Sequence, residues 1–135
     1  MTYSLIYLEV HAKQPLSFHK PLYEALQQTF TALEGLSFEA DNFSDDITLN
    51  ALKDLLDHSE HLYVIINTIS EGTLKKWYPF FNRLLKRKES SNIYSIGESS
   101  AVLDKLLRPF GKQHQHHHNE KVFIEDFQKM ISKQV

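Results

Sequence analysis

The chain has 135 residues, 41% of them apolar, a net charge of -2 at pH 7 and no cysteine. That length suits one domain, residues 1–135, with a sizeable core. The charge gives no reason to expect nucleic acid or an anionic membrane as a partner. The missing thiols exclude disulfide scaffolds, thiol catalysis and cysteine-ligated metals. The opening Met1-Thr2-Tyr3-Ser4-Leu5 lacks the basic patch and small-residue cleavage site of a signal peptide, so a cytoplasmic protein is expected.

Tyr3 to Val10 reads as a first strand around the compact apolar run Leu5-Ile6-Tyr7-Leu8. A loop, His11 to Leu16, leads to Ser17 as the expected N-cap of a helix reaching about Leu33, with Pro21 in its first turn. Leu22, Leu26, Phe30 and Leu33 recur at helical spacing, and Gly35 is the stop signal. Leu36 to Phe43 alternates apolar and polar residues, the pattern of an edge strand. Ser44-Asp45-Asp46 then supplies caps for a helix from about Ile47 to His58, with Ile47, Ala51, Leu52, Leu55 and Leu56 as its stripe.

The longest apolar run, Leu62 to Ile69, is β-branched and too short for a membrane span. It predicts a strand buried on both faces at the middle of a parallel sheet. Ligands of such sheets bind outside the carboxyl ends of the strands, which directs attention to Ser70-Glu71-Gly72-Thr73. Pro79 is expected to start the next helix, with Phe80, Phe81, Leu84 and Leu85 inward and Trp77 and Tyr78 near the preceding loop. Arg83, Lys86, Arg87 and Lys88 close that helix, where cations complement the dipole.

Ser91 to Gly97 is a fourth strand, running into Glu98-Ser99-Ser100 as a turn and cap. Ala101, Val102, Leu103, Leu106 and Leu107 begin a helix that Pro109 and Gly111 end. Lys112 to His118 reads as a short polar fifth strand. Asn119 caps a last helix with Val122, Phe123, Phe127, Met130 and Ile131 on its buried side. Strands alternating with helices from end to end argue for a parallel sheet covered on both faces.

Five βα units in this length resemble the flavodoxin-like superfamily. The resemblance implies a three-layer α/β/α sandwich with a five-stranded, mostly parallel sheet of order 2-1-3-4-5. The polar loop after the third strand, the aromatic pair Trp77-Tyr78 and the basic helix end look like flavodoxins and flavin-dependent quinone reductases, where a loop and an aromatic ring embrace the isoalloxazine. Ile96-Gly97-Glu98-Ser99-Ser100 is similar to the glycine-containing loop near the flavin in those families.

The departure lies in the first loop. Flavodoxins cradle the FMN phosphate there in a Ser/Thr- and Gly-rich turn, because backbone N–H groups must approach the anion closely. Here it is His11-Ala12-Lys13-Gln14-Pro15-Leu16-Ser17, without glycine, and Pro15 and Pro21 remove two donors. His11, Lys13 and Ser17 could still meet an anion, but not by the usual nest. A receiver domain of the same strand order is excluded, since the third strand ends in Asn67-Thr68-Ile69 with no phosphoacceptor aspartate.

The resulting expectation is a domain without a robust flavin site and with no cofactor, acting as a small-molecule- or protein-binding module and open to homodimer formation. The alternative is an FMN-dependent oxidoreductase or electron carrier with an atypical phosphate loop. The candidate cleft comprises His11, Lys13, Ser17, Ser70, Glu71, Gly72, Thr73, Trp77, Tyr78, Gly97, Ser99 and Ser100. No nucleophile–base pair is recognisable, and no Gly-x-Ser-x-Gly elbow is present. If extended, His114, His116 and His118 share one face, a spacing that can hold Zn, Ni or Cu. With only Glu120 as a nearby acid, solvated imidazoles are the preferred reading.

Overall fold

The computed structural model describes residues 2–17, 19–98 and 100–135. Five strands, β1 (Tyr3–Val10), β2 (Leu36–Asp41), β3 (His61–Thr68), β4 (Ser91–Gly97) and β5 (His114–His117), form one parallel sheet of order β2-β1-β3-β4-β5. The helices are α1 (Pro21–Phe30), α2 (Asp46–His58), α3 (Tyr78–Leu85), α4 (Ala101–Leu107) and α5 (Glu120–Ser132). This is the three-layer arrangement and strand order expected from the alternation and the resemblance.

Alternate residues of the central strands feed two separate cores. Leu5, Tyr7, Tyr63, Ile65, Tyr94 and Ile96 face α1 and α5, meeting Leu22, Leu26, Phe30, Phe123, Phe127 and Ile131. Ile6, Leu8, Val64, Ile66 and Ile93 face the other way, onto Leu49, Leu52 and Leu56 of α2, Phe80, Phe81 and Leu84 of α3, and Leu103 and Leu107 of α4. Successive strand side chains point to opposite faces, so a near-continuous apolar run is what a doubly covered sheet requires. Burying one such Leu or Ile contributes about 1.5–3 kcal/mol.

Several boundaries differ from the pattern. α1 starts at Pro21 rather than after Ser17. Its N-cap position is Lys20, which makes no capping side-chain bond, and the Ser17 hydroxyl instead accepts from the His19 amide. Pro21 suits the first helical position, where an N–H would lack an intrahelical partner anyway. The α1 segment passes into a 3-10 turn at Thr31–Leu33, and Glu34 takes the left-handed conformation (φ 54°). β2 stops at Asp41 because Asn42 and Phe43 turn away, the Phe43 amide bonding the Asp41 carboxylate at 2.7 Å.

Asp45 caps α2, accepting from the Thr48 amide at 2.9 Å, and this bond holds its carboxyl below the usual carboxylate range. Ile47, Leu85 and Val122, expected inward, are exposed. Ile47 and Val122 lie in the first turns of α2 and α5. Of the basic run, Arg87 donates to the carbonyls of Leu56 and Ser59, and Arg83 pairs with Asp57 at 3.1 Å. Both cations therefore serve the carboxyl end of α2, Arg87 by satisfying carbonyls a helix leaves orphaned and Arg83 by pairing with a side chain of its last turn. Among the described residues no helix is long and apolar enough to cross a membrane.

Candidate functional site

In the order β2-β1-β3-β4-β5, the chain direction of the crossovers reverses between β1 and β3. Parallel sheets open a crevice outside the carboxyl ends of such neighbouring strands. β1 and β3 run in register, with Glu9 opposite Asn67 and Val10 opposite Thr68. Their last inward residues on the α1/α5 side are polar where the rest of that face is apolar.

A linked polar group fills this end of the face. Asn67 Nδ2 donates to the Tyr7 hydroxyl at 3.0 Å, and the Tyr7 hydroxyl donates to Glu9 Oε2 at 2.5 Å. Glu9 Oε1 lies 2.6 Å from Nε2 of His11. Glu9 is only 8% exposed. A buried carboxylate costs several kcal/mol unless its oxygens are bonded, and here both are. Burial and then the hydrogen bond to Glu9 push the Tyr7 phenol well above its ordinary pKa, so it remains a donor.

These side chains open on a cavity of about 270 Å³, lined also by His19, Pro21, Leu22, Ile69 and Glu120. A second, more open hollow of about 470 Å³ adjoins it through Asn67, Ile69 and Glu120, and continues over Ile96, Gly97, Glu98 and His118. The two form one groove over the tips of β1, β3 and β4. A depression of about 480 Å³ along the outer side of α5, lined by Glu125, Gln128, Lys129, Ser132 and Lys133, is bounded by the solvated side chains of a single helix.

The loops beside the groove are fastened to one another. Asn42 accepts from the His11 amide at 2.9 Å and donates to the carbonyls of His11 (2.9 Å) and Thr73 (3.0 Å). Ser70 Oγ accepts from the Ala12 amide at 2.8 Å. A Cβ on Gly72 would stand 2.1 Å from the His11 carbonyl oxygen, so only glycine lets these two loops approach so closely. Gly97 has φ +96°, and a Cβ there would stand 2.2 Å from the Thr68 carbonyl oxygen.

The expected cleft residues thus separate into groups. His11, Ser70, Gly72 and Thr73 come together at the joined loops, and Gly97 borders the groove. Lys13, Ser17 and Glu71 are exposed loop residues. Trp77 is buried in the core on the α2/α3/α4 side, 6.3 Å from Phe81 between ring centroids, while Tyr78 is partly exposed at the start of α3. Ser100 is buried as the cap of α4, accepting from Leu103. Ser99 lies outside the described residues. Sequence reasoning passed over Tyr7, Glu9 and Asn67 as site residues. Their signal is the Tyr7-x-Glu9-x-His11 alternation, which turns polar as an otherwise apolar strand face reaches its carboxyl end.

On β5, His114 Nε2 and His116 Nδ1 both bond Ser95 Oγ, at 2.7 and 2.8 Å, and the His118 ring stacks edge-on against His116. Burial, and then each ring's histidine neighbour, lowers the pKa of His114 and His116. Among the described residues no three His, Cys, Asp or Glu side chains are grouped to hold a metal ion. Comparison with protein-family models gives no match, and comparison with curated proteins gives none either.

Proposed function

We propose that this chain is a cytoplasmic flavodoxin-like domain that binds a small polar ligand in the groove above β1 and β3 and has no working flavin site. The observation that carries the reading is the buried Glu9 carboxylate, held between Tyr7 and His11 at the base of a cavity. A carboxylate folded into an apolar strand face needs bonded partners, and a group of that kind opening on a cavity at a topological switch point is the arrangement in which ligand sites occur.

The same residues argue against a flavin phosphate. The first loop has no glycine, and the cavity beside the start of α1 is lined by two carboxylates, Glu9 and Glu120. A phosphate there would face like charges at short range. Absence of cysteine agrees with a reducing compartment.

Two measurements test this reading. A visible spectrum recorded with and without added FMN, together with a thermal-shift assay at millimolar FMN, should show no bound flavin and no stabilisation. A metabolite-library screen read by amide chemical shifts should give hits that cluster at Glu9, His11, Asn67 and Ile69. A stoichiometric flavin spectrum would instead establish the oxidoreductase or electron-carrier reading. Hits confined to helix faces would establish a protein-binding module.

A further inference from the structure

The hydrogen bonds at the base of the groove fix which nitrogen of His11 carries a proton. Asn67 Nδ2 donates to the Tyr7 oxygen, so the Tyr7 proton goes to Glu9 Oε2. With Glu9 ionised, Oε1 can only accept as Oε2 does, and His11 Nε2, 2.6 Å from Oε1, is the donor. A neutral imidazole with its proton on Nε2 keeps a lone pair on Nδ1. Among the described residues neither His11 Nδ1 nor the Glu120 carboxylate has a hydrogen-bond partner. The small cavity is therefore lined, at β1's end and α5's start, by two residues that carry unpartnered acceptor atoms.

We propose that this cavity receives a small organic cation, a protonated amine whose N–H groups are accepted by His11 Nδ1 and by Glu120. An ammonium group has donors and no acceptor, which matches the lining. No lysine or arginine lines the cavity, whereas Glu9 and Glu120 both do. His19, the other ring there, lies 3.2 Å from Glu24 and is largely exposed. Pro21, Leu22 and Ile69 supply apolar wall for a short carbon chain. A volume of about 270 Å³ lies at the small end of ligand pockets, which fits an amine of a few carbons. The inference rests on the groove being a ligand site, and it names the class of that ligand.

The test is a titration of the ¹⁵N-labelled full chain with ethanolamine and putrescine, beside glycerol as a neutral probe and inorganic phosphate as an anion. Both amines should saturably shift the amides of Glu9, His11, Asn67 and Ile69. The two-bond ¹H–¹⁵N spectrum of the ring should show His11 protonated on Nε2. His11→Gln places an amide nitrogen near the Nε2 position, holding Glu9, but lacks Nδ1; it should weaken amine binding at least tenfold with little change in melting temperature. Glu120→Gln, at an exposed position, should weaken it at least threefold. Binding by both variants as tight as by the wild type, shifts away from the groove, or no response to either amine would overturn the proposal. Saturable shifts by glycerol but not by the amines would also overturn it, while leaving the groove as a ligand site. Saturable shifts by phosphate at these same residues would overturn the reading of a groove closed to anions.

Discussion

Asn42 and His11 are joined through both ends of one side-chain amide: Asn42 Oδ1 accepts the His11 N–H, and Asn42 Nδ2 donates to the His11 carbonyl, each at 2.9 Å. The same Nδ2 donates to Thr73, so one buried side chain, 3% exposed, ties the ends of β1 and β2 to the loop after β3. Asn42→Ala leaves the His11 amide and two carbonyls to find water. The expected loss is about 2–4 kcal/mol, less than three times the roughly 1–3 kcal/mol of a fully buried unbonded group, because water reaches the exposed Thr73. Urea unfolding of the variant beside the wild type measures it.

Gly72 should tolerate no side chain. Alanine would set its Cβ against the His11 carbonyl and within 2.8 Å of Asn42 Nδ2. Gly72→Ala is expected to destabilise by about 1–3 kcal/mol or more, the usual penalty of forced overpacking. It should also broaden or shift the amide resonances of His11 and Thr73, while those of β5, at the far edge of the sheet, stay in place.

Two arginines of one helix end should behave differently. Arg87 reaches the carbonyls of Leu56 and Ser59 from a half-buried position, so Arg87→Met should cost about 1.5–3 kcal/mol, the range for hydrogen bonds from a charged donor. Arg83 and Asp57 are each nearly half exposed, so Arg83→Met should cost about 0.2–1 kcal/mol. Chemical denaturation of the pair of variants at equal salt separates the two roles.

The β5 histidines give stability a dependence on pH. The folded-state pKa of His114 and of His116 lies below the ordinary 6.5, from burial first and a histidine neighbour second. Below 6.5 the unfolded chain therefore binds protons that the folded chain does not, and stability falls as pH falls through the interval between 6.5 and the folded values. Above that interval the contribution is complete. His114→Gln with His116→Asn keeps groups near the two ring nitrogens that meet Ser95 but removes the titration. The double variant should lose less stability than the wild type between pH 7.5 and about 5, as measured by unfolding free energy at each pH.

The fold was legible because the signals that set it are redundant. Leu62 to Ile69 is apolar at every position but Asn67 and Thr68, and Asp45, Ser100 and Asn119 stand where helix caps belong and do cap them. Local capping fails where it competes with another bond. Ser17 precedes a helix-like stretch, yet its hydroxyl closes a local turn and the helix waits for Pro21.

The groove was legible in place but not in membership. Ser70 and Gly72 sit after the central strand, as the general position of ligand sites suggests. Trp77 looked like a loop aromatic because Pro79 obscures the turn ahead of α3, whereas that turn rolls the indole into the core. Glu9 and Asn67 were hidden because they lie on different strands, 58 residues apart in the sequence. Only the register that sets Glu9 opposite Asn67, and the pleat that aligns Tyr7 with Glu9, turn isolated polar residues into a group.

The three hydrogen bonds of the Asn42 side chain have a consequence for kinetics. The walls of the groove nearest β1 are held by bonds internal to the protein, so a ligand arriving there finds its contacts already in place. Association should then proceed without a preceding loop rearrangement, and the free and occupied backbones should superimpose closely around His11 and Thr73. Selectivity in such a rigid mouth arises from which groups are already satisfied, and loosening Asn42 would trade that selectivity for adaptability.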